Sequence, residues 1–157
     1  MVDCGSNSGE AINFLKLNKI KSIIIDHHQI YKPFPFANEI INPNKNLNYI
    51  KYNYLCATTL TYFVIDTLQS RKIVISNFNL ESNLILVLLA TVCDVMPIRK
   101  LNRILSIKTL RSPSTNKFIS FKIIKDKILK NKKITIDDLG FTIGPILNSG
   151  GRLGHSD

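Results

Sequence analysis

A short apolar run that ends abruptly in polar residues constrains the fold of this chain more than any other feature. Residues 22 to 28 read S-I-I-I-D-H-H, and the three isoleucines are typical of a strand buried on both faces. Ligands of open α/β sheets gather beyond the carboxyl ends of the strands. Asp26, His27 and His28 offer the carboxylate and imidazole groups of a transition-metal, Mn²⁺ or Mg²⁺ site. A polar turn with two solvated histidines explains the same residues equally well.

Length and composition favour one globular domain that binds polyanions. The chain has 157 residues, of which 45% are hydrophobic, enough for one sizeable core. A formal charge of +10 favours nucleic acid as the partner, with a membrane surface second. The longest apolar run, 84 to 92, is too short to cross a bilayer of ~30 Å as a helix. Residues 1 to 6 do not resemble a signal peptide, and no membrane partner is expected.

The cysteines indicate a reducing compartment. Cys4, Cys56 and Cys93 are odd in number, have no C-x-x-C spacing and lie in apolar surroundings. This usage predicts buried free thiols and a cytoplasmic location.

The first 30 residues predict a β-α-β unit. Met1 and Val2 look like the end of a strand, a helix capped near Asn7 runs to Lys19, and residues 20–25 form the next strand. Parallel strands bring the residues that come after them to one edge of the sheet. Asp3 and Asp26 are therefore expected at the same edge. The predicted fold class is α/β, with a parallel sheet flanked by helices.

Further elements are predicted along the rest of the chain. Residues 31–48 read as a long loop interrupted by a short strand at 39–41. Asp94 ends a wholly apolar helix, where an isolated buried charge would be costly, so it is exposed, capping a neighbour or bound to metal. Helices are expected at 54–68, 80–92, 101–110 and 118–131, with a final one entered at 135–139.

The end of the chain is glycine-rich. Residues 144 to 155 contain Asn148 and Arg152 among four glycines. Backbone amides and a guanidinium in such a segment hold a phosphate in many proteins, and a simple loop accounts for the composition equally well. Asn148 and Arg152 are the candidate nucleic-acid contacts.

Four motifs stand in a fixed order. They are V-D-C-G at 2–5, D-H-H at 26–28, A-T-V-C-D-V-M-P-I at 90–98 and D-L-G-F-T-I-G-P-I-L-N-S-G-G-R-L-G at 138–154. A lone D-H-H is weak evidence, but the ordered set spans nearly the whole chain. Together they resemble the DHH phosphoesterase superfamily and, within it, the RecJ-type family of single-strand DNA exonucleases.

The resemblance implies a site that binds Mn²⁺ or Mg²⁺. Asp3 corresponds to a ligand shared between two metals, and His27 and Asp94 correspond to further ligands. Asp26 would orient His27 from behind, and His28 would face the scissile phosphate.

The implied activity is two-metal hydrolysis of single-stranded DNA from the 5′ end, in repair and recombination. DNA is favoured over RNA, binding weakens with salt, and further protein partners stay open. One alternative is a DHH phosphodiesterase that acts on oligoribonucleotides or cyclic dinucleotides. Another is an inactive remnant, or a module that binds nucleic acid by charge alone.

Three departures from the family pattern predict an impaired internal fragment. A D-x-D-A-D-G motif expected before V-D-C-G is absent, and an expected Gly-Pro-Arg is Gly144-Pro145-Ile146. Further domains expected after the chain are also missing. Residues 1–112 are thus predicted to be a partial DHH catalytic domain, and 113–157 a helical connector toward an absent C-terminal domain.

Overall fold

The computed structural model describes residues 1–73, 79–112 and 118–153, with side chains to residue 150. The chain divides into two compact units, Met1–Ser76 and Asn77–Asp157, called here the first and second units. This division reflects packing within each unit. The assignment of 1–112 as a catalytic domain and 113–157 as a connector stays a prediction.

The first unit is built on a small parallel sheet. Strand β1 (Ile23–Ile25) pairs in parallel with β2 (Glu39–Ile41), and Val2 forms a parallel bridge with Ile25. Helix α1 (Gly9–Leu17) lies between the Val2 segment and β1 in the chain. The predicted β-α-β unit and the strand at 39–41 are therefore confirmed.

Two local predictions in this region were wrong. Ile23 is 53% exposed, whereas Ile24 and Ile25 are buried, so only the carboxyl end of β1 is enclosed. The residue that caps α1 is Ser8, with no side-chain capping bond. The Asn7 side-chain amide donates instead to the carbonyl of Gln29 at 2.8 Å. This contact to the segment after β1 takes the place of a local cap.

Helix α2 (Ala57–Ser70) confirms the helix predicted at 54–68. It is less enclosed than its composition predicts, since only Ala57 and Thr59 are buried within it. Three buried residues lead into it, Tyr54, Leu55 and Cys56. Short 3₁₀ turns at Pro43–Lys45 and Ile50–Tyr52 fill the segment between β2 and α2.

The second unit is helical in the part of the chain that the structure describes. Its core comes mainly from the helices Leu84–Cys93 and Ile119–Lys127 and from the segments after them, and it includes Ile85, Phe121, Leu139 and Ile143. The helices predicted from residue 80 onward are confirmed. Their bounds are α3 (Leu84–Cys93), α4 (Lys100–Arg111), α5 (Ile119–Lys127), α6 (Ile136–Asp138), a π-helical segment (Leu139–Ile143) and α7 (Gly144–Leu153).

The glycine-rich end is helical and not a loop. A Cβ added to Gly140 would lie 3.1 Å from Val92 Cγ1, and one added to Gly144 would lie 2.7 Å from Cys93 Sγ. These glycines thus permit close packing against the end of α3, which offsets their low helix propensity.

Two cysteine predictions were also wrong. All three thiols are free, but only Cys56 is buried. Cys4 is exposed in the turn after the Val2 segment, and Cys93 is exposed as the last residue of α3. Among the described residues, none of the helices has the length and apolar character needed to cross a membrane.

A capping box starts the last helical stretch. Thr135 and Asp138 cap each other, with Thr135 N–H and Oγ1–H donating to Asp138 Oδ2 at 2.9 and 2.7 Å. The bond from the Thr135 hydroxyl lowers the pKa of the Asp138 carboxyl. Asp138→Asn is expected to destabilise the second unit by about 1 kcal/mol.

Asp137→Asn removes the same charge from the neighbouring position and is the matched control. It is expected to lower the free energy of unfolding by only ~0.3 kcal/mol. Because the folded-state pKa of Asp138 is lowered, its contribution is present above the ordinary value of about 3.9 and is lost as the pH falls through the folded-state pKa. Urea unfolding of both variants across that range measures this. Equal losses from the two variants would contradict the capping role.

Candidate metal centre

Two neighbouring parallel strand ends bring a carboxylate and an imidazole together. The Asp3 N–H donates to the carbonyl of Ile25 at 2.9 Å, which fixes Asp3 beside the end of β1. His27 Nε2 lies 3.2 Å from Asp3 Oδ1. The His27 side chain is 12% exposed and that of Asp3 is 55% exposed, so the pair lies at the surface end of the sheet.

His28 belongs to the same cluster. Asp3, His27 and His28 each offer one ligand atom, and these atoms all lie within 4.8 Å of one another. The two imidazole rings have centroids 4.6 Å apart and planes inclined by 56°. His28 was expected to face substrate, and that role stays a prediction, but its position also suits a metal ligand.

A buried carboxylate lies behind the cluster. The side chain of Asp26 is 1% exposed and its Oδ1 lies 2.7 Å from His28 Nδ1. The N–H groups of Ser6 and His27 donate to it at 3.0 and 2.8 Å. We expected Asp26 to orient His27; the structure places its carboxylate against the ring of His28 and the backbone of His27.

The environment of Asp26 keeps it ionised. Burial raises the pKa of its carboxyl, but hydrogen bonds from Ser6 and His28 outweigh burial and hold the pKa well below its usual range. An ionised carboxylate can only accept hydrogen bonds. His28 Nδ1 therefore carries a proton, and Nε2 is the nitrogen that can bind a metal or face a phosphate.

Sequence reasoning missed the polar residues that hold the two histidines. The Asn42 amide donates to Ser6 Oγ at 2.8 Å and to the His28 carbonyl at 2.9 Å. The Asn44 amide donates to the His27 carbonyl at 2.8 Å. Asn42 follows β2 directly, so the rule that drew attention to Asp3 and Asp26 could have found it.

Gly5 shapes the turn between Asp3 and Ser6. Its φ is +109°, and a Cβ at this position would lie 3.2 Å from Ile24 Cγ1. Asp3 also has a positive φ of 62°, which Asp tolerates better than most residues. This backbone path aims the Asp3 carboxylate and the Ser6 N–H at the same strand end.

The donor set fits a divalent metal ion. Ligand atoms ~2.1 Å from one ion lie about 3 Å apart, which matches the separation of Asp3 Oδ1 and His27 Nε2. Imidazole and carboxylate are both common donors to divalent metal ions. Asp3, His27 and His28 are the residues of the first unit that could hold it.

The other predicted site residues lie in the second unit. Asp94 follows α3 and is exposed, which was one of the three alternatives predicted for this residue. Asn148 is exposed on α7. Arg152 lies in the last turn of α7, and its side chain falls outside the described residues. Their roles as metal ligand and nucleic-acid contacts stay predictions.

Comparison with known protein families shows which family contains this cluster of Asp3, His27 and His28. Residues 1–91 match the DHH family, N-terminal domain, and this range includes Asp3, His27 and His28. The chain belongs to the DHH family. The resemblance drawn from the four motifs is thereby confirmed.

Sequence relatives of this DHH chain are single-stranded-DNA-specific exonucleases. It is 30% identical over 160 residues to RecJ of Haemophilus influenzae and 32% identical over 164 residues to RecJ of Escherichia coli. Each alignment covers 97% of this chain and 28% of the relative. The chain thus spans less than a third of the length of these relatives.

Solved structures show the same fold. A crystal structure of RecJ in complex with Mn²⁺ from Thermus thermophilus matches with a TM-score of 0.80 and 20% identity, over 99% of this chain and 23% of that one. An exonuclease RecJ bound to manganese matches with a TM-score of 0.81 and 21% identity, over 99% of this chain and 38% of that one. The α/β fold class predicted from the sequence is confirmed.

The bonds to Asp26 lead to a test of its structural role. Asp26→Asn places amide hydrogens where the carboxylate accepts bonds from Ser6 and His28, and is expected to cost about 3 kcal/mol of unfolding free energy. Asp66→Asn removes the same charge from an exposed position on α2 and should change stability by less than about 0.5 kcal/mol. Chemical denaturation of both variants measures this, and equal midpoints would show that the Asp26 network contributes nothing.

Proposed function

We propose that this chain carries part of the catalytic domain of a RecJ-type exonuclease, which hydrolyses phosphodiester bonds of single-stranded DNA with a bound Mn²⁺ ion. The observation that supports this most is the 3.2 Å approach of His27 Nε2 to Asp3 Oδ1 at the ends of neighbouring parallel segments. The relatives at 30% and 32% identity carry that activity in their names.

Asp3 and His27 would hold the ion, and Asp94 of the 90–98 motif is a proposed metal ligand in the second unit. When bound, the ion lowers the pKa of a water molecule and stabilises charge on the phosphate oxygens. The imidazole donors favour Mn²⁺ over Mg²⁺, and the two similar RecJ structures contain manganese.

His28 and Asp26 act as a pair in this proposal. The Asp26 carboxylate holds the proton on His28 Nδ1 through the 2.7 Å contact, so the ring keeps one orientation. His28 then presents Nε2 to the ion or to the scissile phosphate. Asp26 is a positioning residue in this proposal, since it is buried and would act through the ring of His28.

Single-stranded DNA suits the charge of the chain. A net charge of +10 attracts a polyanion, and Asn148 and Arg152 are proposed contacts to it near the end of α7. Digestion from the 5′ end and a role in repair and recombination follow from the RecJ-type resemblance. The three free cysteines agree with the proposed cytoplasmic location.

Metal binding is tested separately from catalysis. His27→Ala and Asp3→Ala should each weaken Mn²⁺ binding at least about tenfold. Mutation of a residue that only supports a metal ligand already has an effect of that size. Asp66→Asn, on the exposed face of α2, should leave it unchanged. Isothermal titration of the folded proteins with Mn²⁺ measures this. Unaltered affinity in both ligand variants would exclude the proposed site.

Catalysis is tested with labelled DNA. The chain is incubated with Mn²⁺ and 5′-labelled single-stranded DNA beside Asp94→Ala, and mononucleotide release is expected only from the unaltered chain. Equal background release of nucleotide by both proteins would show that this chain does not catalyse the reaction and would favour the inactive remnant. Preferential cleavage of short oligoribonucleotides or cyclic dinucleotides would favour the alternative DHH phosphodiesterase.

A further inference from the structure

The positive charge of the chain is concentrated in the second unit, away from the residues of the metal cluster in sequence. Residues 77–157 contain thirteen Lys and Arg against six Asp and Glu, whereas residues 1–76 contain eight against five. Helix α4 and the residue before it supply five of these cations and no acidic residue. A helix without any acid concentrates positive potential on one element.

The most buried residues of α4 are small and polar. Its buried residues are Asn102, Ser106 and Thr109, which lie three and four positions apart and therefore on one face. Each of these side chains donates a hydrogen bond inside the unit: the Asn102 amide donates to the Pro97 carbonyl at 3.0 Å, and the two hydroxyls donate to carbonyls of α4 itself. Packing of α4 thus uses small polar residues together with Leu110, which lies against the apolar core of the unit.

The opposite face combines cations with exposed isoleucines. Lys100, Arg103 and Arg111 are exposed, and Ile104 and Ile107 between them are 61% and 42% exposed. We call these five residues the α4 stripe. Amphipathic helices normally bury such isoleucines, and here they lie beside three cations on the exposed side of α4.

We propose that the α4 stripe binds the phosphate backbone of single-stranded nucleic acid, with the two isoleucines against sugars or bases. This inference rests on the proposed function, since it assigns a second contact surface for the same class of substrate. The helix is ~18 Å long, enough for its cations to meet several phosphates of one strand. Charge complementarity identifies the partner as a polyanion.

Two neighbouring features sharpen the choice. The Lys108 Nζ lies 3.1 Å from Glu81 Oε1, and Lys108 is not counted in the stripe. A helix that binds a membrane surface needs a continuous apolar face, and two isoleucines flanked by charges do not provide one. Nucleic acid requires only cations with modest apolar contact, which the stripe has.

The experiment is binding of a fluorescent oligothymidylate by the full chain in EDTA, followed by anisotropy at several salt concentrations. The triple variant Lys100→Gln, Arg103→Gln, Arg111→Gln should bind at least about tenfold more weakly at 50 mM salt. Its slope of log affinity against log salt should be smaller by about 2, since each phosphate contact to a single strand contributes ~0.7. Leaving out the metal separates this result from the nuclease assay, which tests the proposed function.

A second triple variant is the matched control. Lys122→Gln, Lys127→Gln, Lys133→Gln removes the same charge from exposed positions on and after α5 and should leave the slope within about 0.5 of the original. Equal effects of the two variants would overturn the proposal in favour of attraction by net charge alone. Loss of binding to phosphatidylglycerol vesicles, with unchanged DNA affinity, would overturn it in favour of a membrane surface. Circular dichroism of both variants confirms that they fold.

Discussion

The candidate metal centre depends on one buried negative charge. Taking an ionised carboxylate out of water costs several kcal/mol unless donors replace the water. Asp26 meets this condition with the N–H groups of Ser6 and His27 and the ring of His28. The turn that carries Asp3 and the segment that carries the histidines are thereby held against the same carboxylate.

Two layers of polar structure position the ligands. The first is the parallel ladder, in which Asp3 and Asp26 donate backbone bonds to Ile25 and Ile41 at 2.9 and 3.0 Å. The second layer consists of side-chain amides from the segment after β2. Asn42 and Asn44 donate hydrogen bonds to the carbonyls of His28 and His27. Three successive strand ends thus contribute to one cluster: Asp3 comes from the first, the two histidines come from the second, and the asparagines of the third hold the backbone of the histidines.

Periodicity and strand direction made part of this structure predictable from the sequence. The parallel pairing and the meeting of Asp3 with His27 both result from apolar runs that end in polar residues. The partner of Asp26 could not be predicted, because rotamers decide whether its carboxylate faces the ring of His27 or of His28. The helix at the glycine-rich end could not be predicted from composition. Glycines that form a loop and glycines that pack closely against a helix look alike in sequence.

The packing of Gly144 on Cys93 joins two motifs that are far apart in the chain. A Cβ at position 144 would come within 2.7 Å of the Cys93 sulfur, so the volumes at the two positions are coupled. The segment that carries Asp94 and the segment that carries Asn148 consequently form one packing unit. A larger side chain at 93 would push α7 away, and with it the polar residues of that helix. Among relatives of this chain, a larger residue at position 93 should therefore occur only with glycine at position 144.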